Sequence, residues 1–253
     1  MSEFTYDTVL SSLHEGGVRR VALNRPERLN AMNLRLIEDV ARAFDDANAD
    51  PRTRAILFTG EGRAFCAGDD RHDHVQPETE AQARALVEAI QRATRAIMRG
   101  PKPVVGAING WAVGGGFEWA INCDFALWGE SAKGFFPEVS LNLFVTGGVT
   151  ALLPALVGLA RAREMLFLGE RYDAARLQEY GLAWRVVPDA VLEAEAMDLA
   201  RRLAALPPLS CRAMKRVLNA VAPAELDRAM ALETDATVAG FLDPETTRRL
   251  KNF

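Results

Sequence analysis

The sequence is poor in cysteine and histidine, carries no strong excess of either charge, and has no long uninterrupted apolar run. Its three cysteines, Cys66, Cys123 and Cys211, are an odd number without CxxC spacing, which argues against a disulfide framework and against a cysteine-based zinc site. A reducing cytoplasm is the expected setting. Lys plus Arg number 30 against 34 Asp plus Glu, a net charge of −4, with the basic residues scattered. The cationic footprint of a nucleic-acid binder is missing, so no nucleic-acid partner is expected. The most apolar segment, around Val149 to Ala160, is interrupted by Pro154 and Gly158, and the opening MSEFTYDTVLSS has no basic stretch leading into an apolar core. Neither a membrane span nor an export signal is expected. What remains is 253 residues, 49% apolar and 25% charged, enough to bury a substantial core.

Patterning along the chain alternates strand and helix. Thr8 to Leu13 and Val18 to Leu23, joined by HEGG, read as a hairpin. Asn33 is placed to cap a helix on which Leu34, Ile37, Ala41, Phe44 and Ala47 recur near the 3.6-residue period. A strand over Ala55 to Thr59, a segment Ala64 to Gly68, a polar loop to Pro77 and a helix from about Glu78 to Met98 follow, leading to the apolar run Pro103 to Ile108. The order repeats with a helix over Gly114 to Cys123 and strands at Phe125 to Trp128 and Ala132 to Phe136. Beyond Thr146 the text is mostly helical, with one strand-like run, Ala183 to Val187, a cap at Asp173, and a break at Pro207 and Pro208. This alternation predicts an α/β core with parallel pairing and a helical C-terminal extension, without a linker or a fixed-period repeat.

The strongest local anomaly is Gly114, Gly115 and Gly116, directly after the apolar text PVVGAINGWAV and directly before a helix. Three glycines are costly in a regular element and suggest a close approach to the backbone; the plain alternative is a tight turn. A helix N-terminus offers unpaired N–H groups to an oxyanion. Neither GxGxxG nor GxxxxGK[ST] is present, so phosphate-loop readings fall, and the absence of GxSxG removes a serine-hydrolase elbow. A second glycine turn, FCAGDD from Phe65 to Asp70, could supply another N–H to the same oxygen. Glu118, amid Phe117, Trp119 and Ala120, and Glu138, in GFFPEV, are carboxylates in apolar text, where raised pKa values suit proton transfer near neutrality. For either one the alternative is an ordinary surface or salt-bridged glutamate. His72 and His74 stand in a polar loop with no third histidine nearby and no cysteine pair, so no metal is expected; Cys66 is assigned to packing.

Four co-linear blocks, NRPERLNAMN (24–33), FCAGDD (65–70), PKPVVGAINGWAVGGGFEWAINCDFAL (101–127) and FFPEVSLNL (135–143), resemble the crotonase family of enoyl-CoA hydratases and isomerases. The resemblance implies an α/β fold, a crotonase-like spiral of ββα units over residues 1–195, with a helical C-terminal region over 196–253 that builds trimers or hexamers, the whole being one continuous domain. It implies a hydro-lyase of fatty-acid metabolism that adds water to a 2-enoyl-CoA, or dehydrates a 3-hydroxyacyl-CoA. By the same resemblance Asp69 and Gly115 donate the two oxyanion N–H groups and Glu118 and Glu138 hold the water. Arg28, Ala67, Gly68, Asp70 and Arg71 contact CoA, which is part of the substrate, so no separate cofactor is implied. The family's isomerases generally use one carboxylate at the place of Glu138, and the presence of both favours a hydratase. A Δ3,Δ2-enoyl-CoA isomerase is the alternative, and a non-catalytic acyl-CoA-binding protein is the alternative of another class. The chain departs from the family pattern at Asp69, in SLNLFVTGG after Glu138 and in its ending FLDPETTRRLKNF, where acyl selection and CoA contacts are set.

Overall fold

Burial alternates at the start of the edge strand β1 (Val9–His14), whereas β2 (Val18–Leu23), covered by β1 and the next strand, is buried almost throughout; the two pair antiparallel in register from Val9↔Leu23 to His14↔Val18. This is a computed structural model that describes residues 4–221 and 225–252. Next comes α1 (Leu34–Ala49), capped as expected by the Asn33 side chain, which accepts from the Leu36 N–H. Its buried face includes Ile37, Ala41, Phe44 and Ala47, while Leu34, in the first turn, is exposed rather than part of the apolar stripe. The strand β3 (Ala55–Gly60) is buried on both faces, as a central parallel strand must be. After β4 (Ala64–Cys66), α2 (Glu80–Arg99) opens with a capping box between Thr79 and Gln82.

Sequence alone reads 103–113 as one apolar strand, but the structure divides it into β5 (Val104–Ile108) and β6 (Trp111–Val113). The division is at Gly110, where φ is +60° and a Cβ would collide with the Arg63 carbonyl oxygen; only glycine allows the chain to step from one sheet to the other. The rest of the core comprises α3 (Gly115–Asn122), β7 (Phe125–Gly129), β8 (Lys133–Phe135), α4 (Val149–Val157), α5 (Leu159–Leu168), β9 (Tyr172–Asp173), α6 (Ala174–Glu179) and β10 (Arg185–Val187). Asp173 caps α6 through the Arg176 N–H.

Two sheets result. The larger has the order β1-β2-β3-β5-β7-β10 and is parallel from β2 onward. The smaller has the order β4-β6-β8-β9, with parallel pairs β4/β6 and β6/β8 and an antiparallel pair β8/β9. Period-two alternation sends Ile56 and Phe58 of β3 into a core shared with α1 and α3, and Ala55 and Leu57 into a second core beneath α7 (Leu192–Ala204). The expected junction at 195/196 falls inside α7, whose Leu192, Ala196 and Ala200 belong to that sheet core, so the helical extension starts as an integral layer. Beyond it lie α8 (Pro208–Val221), α9 (Leu226–Leu242) and α10 (Pro244–Asn252). Helix α9 packs along α2, closing the side on which the glycine turns lie.

Candidate active site

Each glycine of the triplet answers a different steric demand. Gly114 has φ +51° and ψ −123°, a conformation open essentially to glycine alone, and a Cβ there would lie 2.6 Å from Glu138 Oε1. A Cβ on Gly115 would come within 3.0 Å of Met32 Sδ. On Gly116 it would overlap the Cys66 carbonyl oxygen and stand 2.7 Å from Cys66 Cβ. The first turn of α3 is thus pressed against the end of β4, and Gly115, its first residue, keeps an N–H outside the helical ladder.

The FCAGDD turn meets it there. Gly68, at φ +85°, passes so close to Val113 that a Cβ would lie 3.0 Å from the Val113 carbonyl oxygen. Met32 bridges Asp69 in parallel fashion: the Met32 N–H donates to the Gly68 carbonyl (2.6 Å) and the Asp70 N–H to the Met32 carbonyl (2.8 Å). In such a bridge the N–H of the central residue points to the opposite edge, so the Asp69 amide faces away from Met32. The Asp69 carboxylate is half exposed and pairs with His74 Nδ1 at 2.8 Å.

Aromatic packing places the two glutamates. Phe117 of α3 stacks obliquely on Phe136, centroids 4.7 Å apart, and meets Trp128 edge-on at 5.7 Å. Trp119 packs near Phe58. Between them, Glu118 is 1% exposed, and the Phe117–Phe136 contact docks the chain just before Pro137 and Glu138 against the same helix. Glu138 opens a short 3-10 turn, Glu138–Leu141, and its Oε2 is shut off from solvent with no hydrogen-bond partner among the described residues. Glu118 accepts from the Thr146 N–H through Oε1 and from the Thr146 hydroxyl through Oε2, both at 3.0 Å.

Both carboxyls are pushed upward. Burial is the main cause for Glu118, raised to about 7 against the opposing bonds from Thr146, with the charge of Glu233 contributing upward. Glu138 is raised to about 8, first by burial and then by the charge of Glu118. Two such groups share protons as a pair, and burial together with their repulsion favours one protonated and one ionised carboxyl near neutrality.

Asp69, Gly115, Glu118 and Glu138 line one cavity of about 140 Å³, together with Ala67, Gly68 and Arg71. Its walls include Ile37, Leu86, Ile90, Leu141, Phe144 and Phe241, an apolar surface suited to a short acyl chain beside two proton-transferring groups. Two of the CoA-contact residues expected from the sequence stand elsewhere. Asp70 is 2% exposed and its carboxylate turns inward to Arg25 at 2.7 Å, because a buried carboxylate needs a partner. Arg28 ends an exposed 3-10 turn, Pro26–Arg28, and does not line the cavity.

A sequence model of the enoyl-CoA hydratase/isomerase family matches residues 14–247. The chain belongs to this family, within the crotonase superfamily. It is 37% identical over 224 residues to the 1,2-epoxyphenylacetyl-CoA isomerase of Escherichia coli, an alignment covering 87% of this chain and 86% of that one. It is 34% identical to the crotonyl-CoA hydratase of Syntrophomonas wolfei, covering 85% and 82%. A crystal structure of an enoyl-CoA hydratase from Mycobacterium avium subsp. paratuberculosis superposes with a TM-score of 0.89 at 30% identity, covering 98% of this chain and 96% of that one. The expected fold class is therefore the observed one.

In this hydratase/isomerase chain the remaining candidates have structural partners. Cys66 is buried and its thiol is pushed up to about 12 by that burial, which leaves it a packing residue. His72 is exposed, and His74 joins Asp69 to Gln76. Sequence reasoning missed Thr146, Thr237, Phe241 and Leu250, all at the cavity wall. The glycine pair after Thr146 was a signal for a backbone turn; the C-terminal residues had none, since α9 reaches the site through tertiary packing on α2 and α4, and α10 through packing on α9 and the 138–141 turn.

Proposed function

We propose that the chain is an enoyl-CoA hydratase, adding water across the double bond of a 2-enoyl-CoA or dehydrating a 3-hydroxyacyl-CoA. One observation carries the reading: Glu118, buried, and Glu138, partly buried with its Oε2 shut off from solvent, line the same cavity with both carboxyls held above the ordinary carboxylate range. A proton-shuttling isomerase needs one such group, whereas hydration needs a base for water and an acid for carbon.

In this mechanism the thioester oxygen sits between the Asp69 and Gly115 N–H groups. Water attacks the β-carbon, Glu118 takes its proton, and the electron pair moves onto the thioester oxygen. Collapse of the enolate draws a proton from Glu138 to the α-carbon, and proton return from Glu118 to Glu138 resets the pair. In these roles Glu138 carries the proton before reaction and Glu118 is ionised. Loss of one oxyanion donor in such sites costs about 3 to 4 kcal/mol, on the order of a hundredfold or more in rate. Within this reading CoA extends from the cavity past Ala67, Gly68 and Arg71. Coenzyme A enters as part of the substrate, and the enzyme works without another cofactor. Apolar residues exposed on α5 and α8, such as Phe167 and Leu209, fit a homo-oligomer.

A panel of 2-enoyl- and 3-enoyl-CoA thioesters analysed by mass tests the reading. Gain of one water on crotonyl-CoA supports it. Conversion of 3-enoyl substrates at unchanged mass, with crotonyl-CoA untouched, establishes an isomerase instead. Tight binding with no product from any thioester identifies a non-catalytic binding protein.

A further inference from the structure

Among the buried acids that the mechanism leaves unused, Glu233 on α9 is bonded to the same turn that holds Glu118. It is fully buried, and its polar contacts gather on one short turn: Oε2 accepts from the Gly148 N–H (2.8 Å), and Oε1 from the Thr150 N–H (2.8 Å) and hydroxyl (2.7 Å). Helix α4 needs this. Its N-cap is Gly148, at φ +72°, with no side chain to cap the first turn. Glu233 supplies the cap from another helix, which suits both the orphan N–H groups and the positive end of the helix.

The other end of the same turn belongs to the active site. Thr146 gives its N–H and hydroxyl to Glu118, and Gly147 also hydrogen-bonds Glu118 from its backbone. A Cβ on Gly147 would lie 2.7 Å from Glu118 Oε2, so the turn presses directly on that carboxyl. Residues 146–150 thus form one strip of donors stretched between two buried carboxylates, Glu118 on α3 and Glu233 on α9.

We propose that Glu233 is a positioning residue for Glu118: by anchoring Gly148 and Thr150 it fixes the donors at Thr146 and Gly147 that orient the Glu118 carboxylate. The inference rests on the role given to Glu118 in the proposed hydratase. Elsewhere on the elements packed against α9, charged side chains are engaged outside this strip. On α2, Arg84 and Arg99 pair with Asp235 and Asp227, and Arg95 pairs with Glu88. On α10, Arg249 pairs with Glu245. Glu118 is the titratable group that Glu233 faces, and the Glu233 charge disfavours its ionisation. Position and protonation of the base are therefore set together from α9.

The test is made on the full-length protein. Glu233→Gln keeps the shape but removes the charge and places an amide N–H against one of three donors. The expected result is a kcat for crotonyl-CoA hydration lowered at least tenfold, and a Glu118 midpoint moved down by roughly half a pH unit or more. The midpoint is read both from the pH profile of kcat and from the carboxyl resonance of carbon-13-labelled glutamate, assigned by its loss in Glu118→Gln. Glu233→Asp should return the midpoint to the wild-type value while kcat stays depressed, because the shorter side chain cannot reach Gly148 and Thr150 together. If Glu233→Gln does not fold, Thr150→Val removes one anchor alone and should lower kcat several-fold with KM unchanged. An unmoved midpoint in folded Glu233→Gln, or a kcat loss matching only the loss of folded protein, overturns the proposal, as does unaltered kcat in Thr150→Val. A wild-type enzyme that hydrates no enoyl-CoA would instead fail the functional reading, and the resonance titration would still report whether Glu233 acts on Glu118.

Discussion

Replacing Glu118 by Gln should separate stability from activity, in a direction opposite to that of most substitutions at buried positions. The carboxyl titrates near 4.5 in the unfolded chain and is raised to about 7 in the fold, mainly by burial. The folded state therefore holds the proton more tightly than the unfolded state. Below pH 4.5 the group has no effect on stability; as pH rises from 4.5 through about 7 the fold loses stability, and above that the loss is complete. That interval corresponds to about 3 kcal/mol, and because Glu138 shares the protons we expect about 1 to 3 kcal/mol from Glu118 alone. Gln cannot ionise. Its carbonyl can accept the Thr146 N–H, and its amide can donate to the Thr146 hydroxyl, which turns to accept, so the Gly147 N–H contact is the one cost set against the gain. At about pH 8.5 Glu118→Gln should melt higher than the wild type by a few degrees, at about 2 to 4 °C per kcal/mol for a chain of this size, and the two should converge near pH 5. Hydration of crotonyl-CoA should fall by a factor of about 10² to 10⁴. Thermal melts at both pH values and a coupled absorbance assay decide it. A variant less stable than the wild type at the higher pH, or one that retains hydration, refutes the reasoning.

Three other perturbations test the scaffold of the site. Gly116→Ala forces a methyl group into the Cys66 carbonyl and Cβ; backbone cannot yield cheaply, so urea titration should show a loss of about 2 kcal/mol or more, whereas Gly115→Ala meets only the flexible end of Met32 and should cost less. Asp70→Ala takes from Arg25 its close, buried carboxylate and leaves it the Ala31 carbonyl and Asp73 at 3.8 Å, so chemical denaturation should show a loss of about 2 kcal/mol. The pairing of His74 with Asp69 raises the imidazole above its ordinary 6.5, so its stabilisation is complete below that value and disappears as pH rises through the folded value. With Asp69 half exposed, the effect should stay below about 1 kcal/mol, and the pH-dependent part of the Tm difference between the wild type and His74→Ala should disappear at alkaline pH, leaving a constant part from the contacts with Phe241 and Gln76.

Local chemistry made much of the larger sheet readable. The start of β1 alternates, Asn33 caps α1 within its own chain segment, and β3 is mostly apolar and wholly buried because both its faces are covered. The smaller sheet left no comparable trace. Its strands β6 and β9 are three and two residues long, too short for any period to show, and β6 is continuous in apolar text with β5 until Gly110 turns it. Glu118 and Glu138 were readable as carboxyls in apolar text, but their shared cavity depends on Phe117 meeting Phe136 across elements that sequence does not relate. Arg25 and Arg28 show the same limit at the scale of one turn: both are arginines in one polar segment, and only the fold of Pro26–Arg28 decides that Arg25 turns inward to Asp70 while Arg28 faces solvent.

Glu233 marks the boundary between what patterning can reveal and what it cannot. On α9, Leu226, Met230, Glu233, Thr237 and Phe241 are all buried, a helical stripe with a carboxylate in its middle. An acid in such a stripe must find donors or lose its charge, so the anomaly itself is visible at i, i+3, i+4 spacing without coordinates. Its partners are not: they lie more than eighty residues earlier, in a turn whose own glycines offer N–H groups and no side-chain cap. The C-terminal helices therefore do more than cover the cavity. They complete a polar strip whose far end holds Glu118, the base of the proposed reaction, and α9 supplies the carboxylate that anchors the turn bonded to it.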